Sequence, residues 1–162
     1  MQVVIREGRP SEASAISDFI TPLAAKFIAH EFAAPARKLF LATFSHAAVD
    51  KYIANGFRYH LAESEGTMVG VVATRQNRHV YHLFVAESAQ RSGVGRSLWN
   101  RAREAARESG YRGDFTVNSS RFAVGFYERL GFVRDGHENA RDGIVSVPLR
   151  YPVTCGPTGG CS

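Results

Sequence analysis

Cysteine is almost missing from this chain of 162 residues: only Cys155 and Cys161 occur, both within the last eight positions, so the body holds no disulfide framework. That suits a reducing compartment. No apolar run approaches the length of a membrane-spanning helix, and Met1 to Gly8 lacks the apolar stretch of a secretory signal. A cytoplasmic protein without a membrane partner is therefore expected. Charge of one sign never gathers into a block. The formal charge is +5, yet the basic residues are interspersed with acids and no RNA- or DNA-binding motif is present. Nucleic acid is thus not an expected partner, and the surplus positive charge favours smaller anionic ligands. There is no acidic run of the kind a polyamine would call for, and no metal is expected. Internal repeats are absent too. With 44% hydrophobic residues, the chain is long enough for one domain with a real core and too short for two comfortable ones.

What is present is an alternation of strand-like and helix-like segments. Val3 to Ile5 reads as a strand stopped by Glu7-Gly8-Arg9-Pro10. A helix then opens at Pro10-Ser11, with Ala13, Ile16, Phe19 and Ile20 on one face, until Thr21-Pro22 interrupts it. A second helical stretch runs from Leu23 to Phe32 and is broken by Pro35, and a longer amphipathic region spans Leu39 to Ala54. Phe57–Glu63 and Met68–Thr74 read as a hairpin around Ser64-Glu65-Gly66-Thr67, and His79–Val85 as a central strand covered on both faces. The helix from Gly93 to Ser109 ends at Gly110, and Phe115–Val117 is the next strand. Ser119 or Ser120 caps a helix that turns Ala123, Phe126, Tyr127 and Leu130 inward and stops at Gly131. Phe132–Val133 and Ile144–Leu149 complete a mixed α/β order within residues 1–151, and residues 152–162, rich in Gly and Pro, read as a flexible tail.

The chemistry gathers at Gln90-Arg91-Ser92-Gly93-Val94-Gly95-Arg96, a glycine-rich turn between the central strand and an amphipathic helix. Unpaired N–H groups and the positive end of the dipole at a helix N-terminus cradle anions, and Arg91 and Arg96 add charge. No Gly-Lys-Ser/Thr follows, so this is not a P-loop, and the third glycine of a dinucleotide fingerprint is missing. By itself the turn also reads as an ordinary strand-to-helix connection.

Together with Asn118-Ser119-Ser120 and the segment Tyr127-Glu128-Arg129-Leu130-Gly131-Phe132, this turn resembles the GCN5-related N-acetyltransferase family. Gln90 to Gly95 fits that family's Gln/Arg-x-x-Gly-x-Gly/Ala pattern in full, and element order agrees from about Val3 to Tyr151. The resemblance implies a single-domain fold with a mixed, mostly antiparallel sheet flanked by helices and a splayed central strand. It implies acetyl-CoA as co-substrate, with its pyrophosphate on Gln90 to Arg96 and its pantetheine beside the backbone of Leu83, Phe84 and Val85. An amide there, aimed at the thioester oxygen, is worth about 3 kcal/mol. Tyr127 falls where the family places its proton-donating tyrosine. Asn118 would pair with pantetheine or serve only as turn chemistry, and Ser120 stands at the family's other polar position there, often asparagine in relatives. The family's strand-borne glutamate base lies eleven positions before the loop glutamine, which here is His79. Alternation would set His79 on a face with Tyr81 and Leu83 unless a bulge shifts the parity. Two readings stand: His79 accepts the amine's proton, or it is a surface histidine and water does so. His82 is the fallback.

The expected activity is direct transfer of acetyl to a primary amine of a small molecule or peptide, since no cysteine in the body is placed as a nucleophile. The alternative is a non-catalytic acyl-CoA-binding or regulatory module. The early helices, the strand Phe57–Glu63 and the final hairpin are expected to build the acceptor side, with Phe19, Phe27, Phe32, His30, Glu31 and Glu63 as possible lining residues, and both a monomer and a homodimer remain open.

Overall fold

The computed structural model describes residues 1–153. Strand β1 (Val4–Glu7) leads into helix α1 (Ala13–Phe27), followed by α2 (Ala34–Ala42) and α3 (His46–Ala54). Three strands come next, β2 (Arg58–Ser64), β3 (Thr67–Arg75) and β4 (His79–Val85), then α4 (Val94–Glu108), β5 (Phe115–Ser119), α5 (Val124–Leu130), and finally β6 (Val133–Arg134), β7 (Asn139–Arg141) and β8 (Ile144–Tyr151). The strands lie in the order β1-β2-β3-β4-β5-β8-β6, with β7 added on β8. Every pairing is antiparallel except β4 with β5. That one parallel contact is possible because the long connection through α4 carries the chain back to the sheet's other end.

Apolar side chains alternate across the strands and build a core on each face. On one, α4 and α5 bury Leu98, Trp99 and Leu130 against Val72, Val80, Phe115 and Leu149. On the other, Ile16, Ile20 and Val49 of the first three helices meet Leu61, Val71 and Phe44. Each such side chain contributes roughly 1.5–3 kcal/mol when fully buried. The β2–β3 hairpin turns through Glu65 and Gly66 at φ +50° and +77°, so Glu65 shares the left-handed conformation expected only of the glycine.

The prolines act differently from expectation. Pro22 lies inside α1 without ending it. It is exposed and forfeits only the bond to the Asp18 carbonyl on the solvent side, while Ile16, Ile20 and Ala24, all fully buried, hold one continuous inner face. Pro35 does not break a helix but stands in the first turn of α2, where its missing N–H would have had no intrahelical partner. The region from Leu39 to Ala54 is two helices. Phe44 turns inward between them, and the Ser45 hydroxyl accepts from the Ala48 amide at 3.1 Å to start α3. Strand β7 is absent from the sequence-based reading because all three of its residues are exposed, which leaves no apolar alternation to detect.

The tail expected at 152–162 begins with an anchored residue, since the Val153 amide donates to Asp114 Oδ1 at 2.9 Å. Its remainder, with Cys155 and Cys161, lies outside the described residues. Among the described residues no helix is long and apolar enough to cross a membrane.

Candidate active site

The site begins where two strands part. β4 and β5 share only the rungs His79↔Thr116 and Val80↔Val117, after which their facing edges separate. The rest of β4, including Leu83, Phe84 and Val85, has no strand on its β5 side. Across β4, the register with β3 passes from Thr74↔Val80 to Ala73↔His82, so Tyr81 is a bulge. The bulge resets the parity. Tyr81 packs edge-on against Tyr52 and Phe57, and His82 stacks on Phe44 at 5.0 Å, both toward the first three helices. Leu83 and Val85 pack into the core under α4. His79 therefore does not share a face with Leu83, as simple alternation had it.

The turn at the head of this gap is fixed by its own polar groups. Gln90 Nε2 donates to the Val85 carbonyl at 3.1 Å, and the Ser92 hydroxyl bonds the Ala89 carbonyl. Arg91 and Gly93 both adopt left-handed backbone, at φ +61° and +87°. The chain thereby coils into the N-terminus of α4 with Arg91, Ser92 and Gly93 exposed. Val94 is buried in the core, so only its backbone can serve a ligand. A Cβ at Gly95 would lie 2.8 Å from the Phe126 ring, which shows how closely α4 begins against α5. Arg96 donates to the Arg129 carbonyl at 3.1 Å, joining the two helices beside the turn.

Five further residues of interest line one cleft of about 540 Å³ that opens at the split: Tyr127, His79, His82, Asn118 and Ser120. The Tyr127 ring is held edge-on by Phe126 and Phe132, both at 5.3 Å, and burial pushes its phenol pKa up, so the hydroxyl keeps its proton. Asn118 is exposed at the end of β5. The Ser120 hydroxyl is already engaged, accepting from the Ala123 amide at 3.2 Å as the cap of the turn into α5. His79 Nδ1 lies 2.8 Å from Thr116 Oγ1, and burial, with Arg75 and Arg78 nearby, lowers its pKa to about 4. His82 Nδ1 lies 3.2 Å from the Tyr59 hydroxyl, and burial lowers its pKa to about 3. Both imidazoles are neutral bases at pH 7.

The far wall of the cleft differs from expectation. Of the six lining candidates only Phe32 lies there, joined by Ile28, Phe40, Phe44 and residues of the β7–β8 hairpin. Phe27 instead stacks on Phe122 at 5.0 Å, Phe19 packs against the second core, and Glu63 pairs with Arg6 at 2.7 Å. His30 and Glu31 are exposed outside the cleft. Ile28 and Phe32, like Phe40 and Phe44, stand four residues apart in the sequence, whereas the three exposed residues of β7 carry no such signal. Among the described residues no group of three or more His, Cys, Asp or Glu could hold a metal.

The fold recurs in proteins of known structure. A GCN5-related N-acetyltransferase structure from Rhodopseudomonas palustris, described as an aminotransferase, class-II, aligns at 16% identity and TM-score 0.78, over 94% of this chain and 97% of that one. The PaiA N-acetyltransferase of Thermoplasma acidophilum, solved with coenzyme A, aligns at 15% identity and TM-score 0.76, over 94% and 99%. A putative streptothricin acetyltransferase from Bacillus anthracis, solved with acetyl-coenzyme A, aligns at 19% identity and TM-score 0.51, over 60% of this chain and 63% of its own. No curated protein matches in sequence. The family model for the acetyltransferase (GNAT) domain matches residues 24–153. The open mixed sheet, the parted β4 and β5 and that match together place the chain in the GNAT acetyltransferase family.

Proposed function

We propose that the protein is an acetyl-CoA-dependent N-acetyltransferase that moves an acetyl group directly to a primary amine of a small molecule or peptide. This reading is carried by the conjunction at the β4–β5 split: the left-handed turn Gln90–Arg96 at its head and Tyr127 in the lining of the cleft below. The α4 N-terminus, Arg91 and Arg96 supply charge for a pyrophosphate. The unpaired edge of β4 at Leu83, Phe84 and Val85 gives pantetheine a strand to lie beside, with Asn118 facing it from β5. Ser120, occupied as a cap, has less to offer a ligand.

In the reaction, the neutral amine nitrogen forms a bond to the acetyl carbon and the carbon–sulfur bond breaks, its electron pair leaving with sulfur. A β4 amide stabilises the developing charge on the carbonyl oxygen. Tyr127 donates its proton to the sulfur, and the proton lost by the amine passes to His79, directly or through water, with His82 as the second imidazole on the same wall. A reducing cytoplasm suits a domain body without cysteine.

Release of free thiol from acetyl-CoA over a panel of amines tests the reading. Amine-dependent release with formation of the N-acetyl product is expected. Tight acetyl-CoA binding without turnover of any amine would favour the non-catalytic module instead.

A further inference from the structure

The β7–β8 hairpin contributes charged residues to the lining of the cleft. The tip of the β7–β8 hairpin turns through Asp142 at φ +55° and Gly143 at φ +78°, and a Cβ at Gly143 would lie 2.9 Å from Ala36 Cβ. The tip is thus pressed onto α2, which holds Arg141 and Asp142 in the lining of the cleft. Among the described residues neither takes part in an ion pair. Among the described residues they are also the only Asp, Glu, Lys or Arg in the cleft lining, and both histidines there are neutral at pH 7. Behind them the wall is apolar and aromatic: Ile28, Phe32, Phe40 and Phe44.

We infer that the acceptor is a zwitterionic amine with an apolar body, of the class of hydrophobic α-amino acids, its carboxylate held by Arg141 and its side chain by the phenylalanine wall. This rests on the proposed N-acetyltransferase activity. Arg141 and Asp142 are both exposed at the cleft rim, so a polycation would meet a single carboxylate and an opposing guanidinium, and a neutral amine would make no use of Arg141. An arginine fork suits a carboxylate by geometry as well as by charge. Asp142 beside it holds the net charge of the rim at zero, which disfavours a plain anion.

The test compares kcat/KM for phenylalanine, phenethylamine and spermidine in the parent and in Arg141→Gln and Arg141→Lys. The parent is expected to prefer phenylalanine over phenethylamine by tenfold or more. Arg141→Gln should erase most of that ratio and Arg141→Lys should restore part of it, through KM rather than kcat. A ratio near one in the parent, a ratio unmoved by Arg141→Gln in a folded variant, or preference for spermidine overturns the inference and leaves N-acetyl transfer standing. Absence of acetyl transfer to every amine overturns the proposed function together with it.

Discussion

Tyr127 sits among aromatic neighbours that would hold a phenylalanine ring equally well, so its hydroxyl can be removed without disturbing the packing. Tyr127→Phe should lower kcat by about 10²-fold and leave acetyl-CoA affinity nearly unchanged. An unchanged kcat in a chemistry-limited assay would reduce Tyr127 to a packing residue. His79 offers a second handle. Because its pKa is depressed to about 4, the neutral, proton-accepting form persists down to that pH and is lost below it. The acidic limb of kcat/KM, measured with an acceptor of known amine pKa, should therefore carry an enzyme pKa near 4 rather than near 6.5. His79→Ala should remove that limb and lower the plateau about tenfold. Superimposable profiles would exclude His79 as the base. At this scale the sequence could name His79 but not its surroundings, since the bulge at Tyr81 that changes its face-mates depends on the pairing of β3 with β4.

Among the elements, those with a strong period were legible. β4 appears at its expected bounds, and α4 falls within one residue of them at each end, because β-branched and aromatic content in one and a buried stripe of Val94, Leu98, Ala102 and Ala105 in the other leave little choice. Elements defined by contacts elsewhere were not. Pro22 reads as a break until the buried face on either side of it is seen, and the three exposed residues of β7 carry no pattern although they place the far wall of the cleft. The glycines of the turn were legible as turn residues, but the close approach at Gly95 was not, since Phe126 comes from another helix. Gly95→Ala should push α4 away from α5, lowering the melting temperature by several degrees and weakening acetyl-CoA binding tenfold or more. Retention of both values would mean that Phe126 rotates aside and the turn does not depend on this contact.

Over the whole molecule, the two faces of the sheet carry buried histidines. His60, 1% exposed beneath α4, has no hydrogen-bond partner at either ring nitrogen among the described residues. Burial, reinforced by Arg101, lowers its pKa to about 4. In the unfolded chain the ordinary value is about 6.5, so between these pH values the unfolded state binds the extra proton. Its contribution to stability is complete above about pH 6.5, declines as pH falls, and is exhausted below about 4, with a slope of at most about 1.4 kcal/mol per pH unit. His60→Leu should reduce, without abolishing, the dependence of melting temperature on pH between 4 and 6.5, since the pKa values of His79 and His82 are depressed over the same range. An unaltered slope would place the acid sensitivity elsewhere.

If the turn at the head of the β4–β5 split holds the phosphates of acetyl-CoA, the thermal stabilisation that acetyl-CoA confers should differ between the parent and Gly93→Glu. At 100 times its Kd a ligand adds about 2.7 kcal/mol, which raises the melting temperature of a domain of this size by several degrees. That rise is expected for the parent, with near-complete loss in Gly93→Glu, where a carboxylate stands at the positive end of α4 in the place of phosphate. Undiminished stabilisation of a folded Gly93→Glu variant would contradict it.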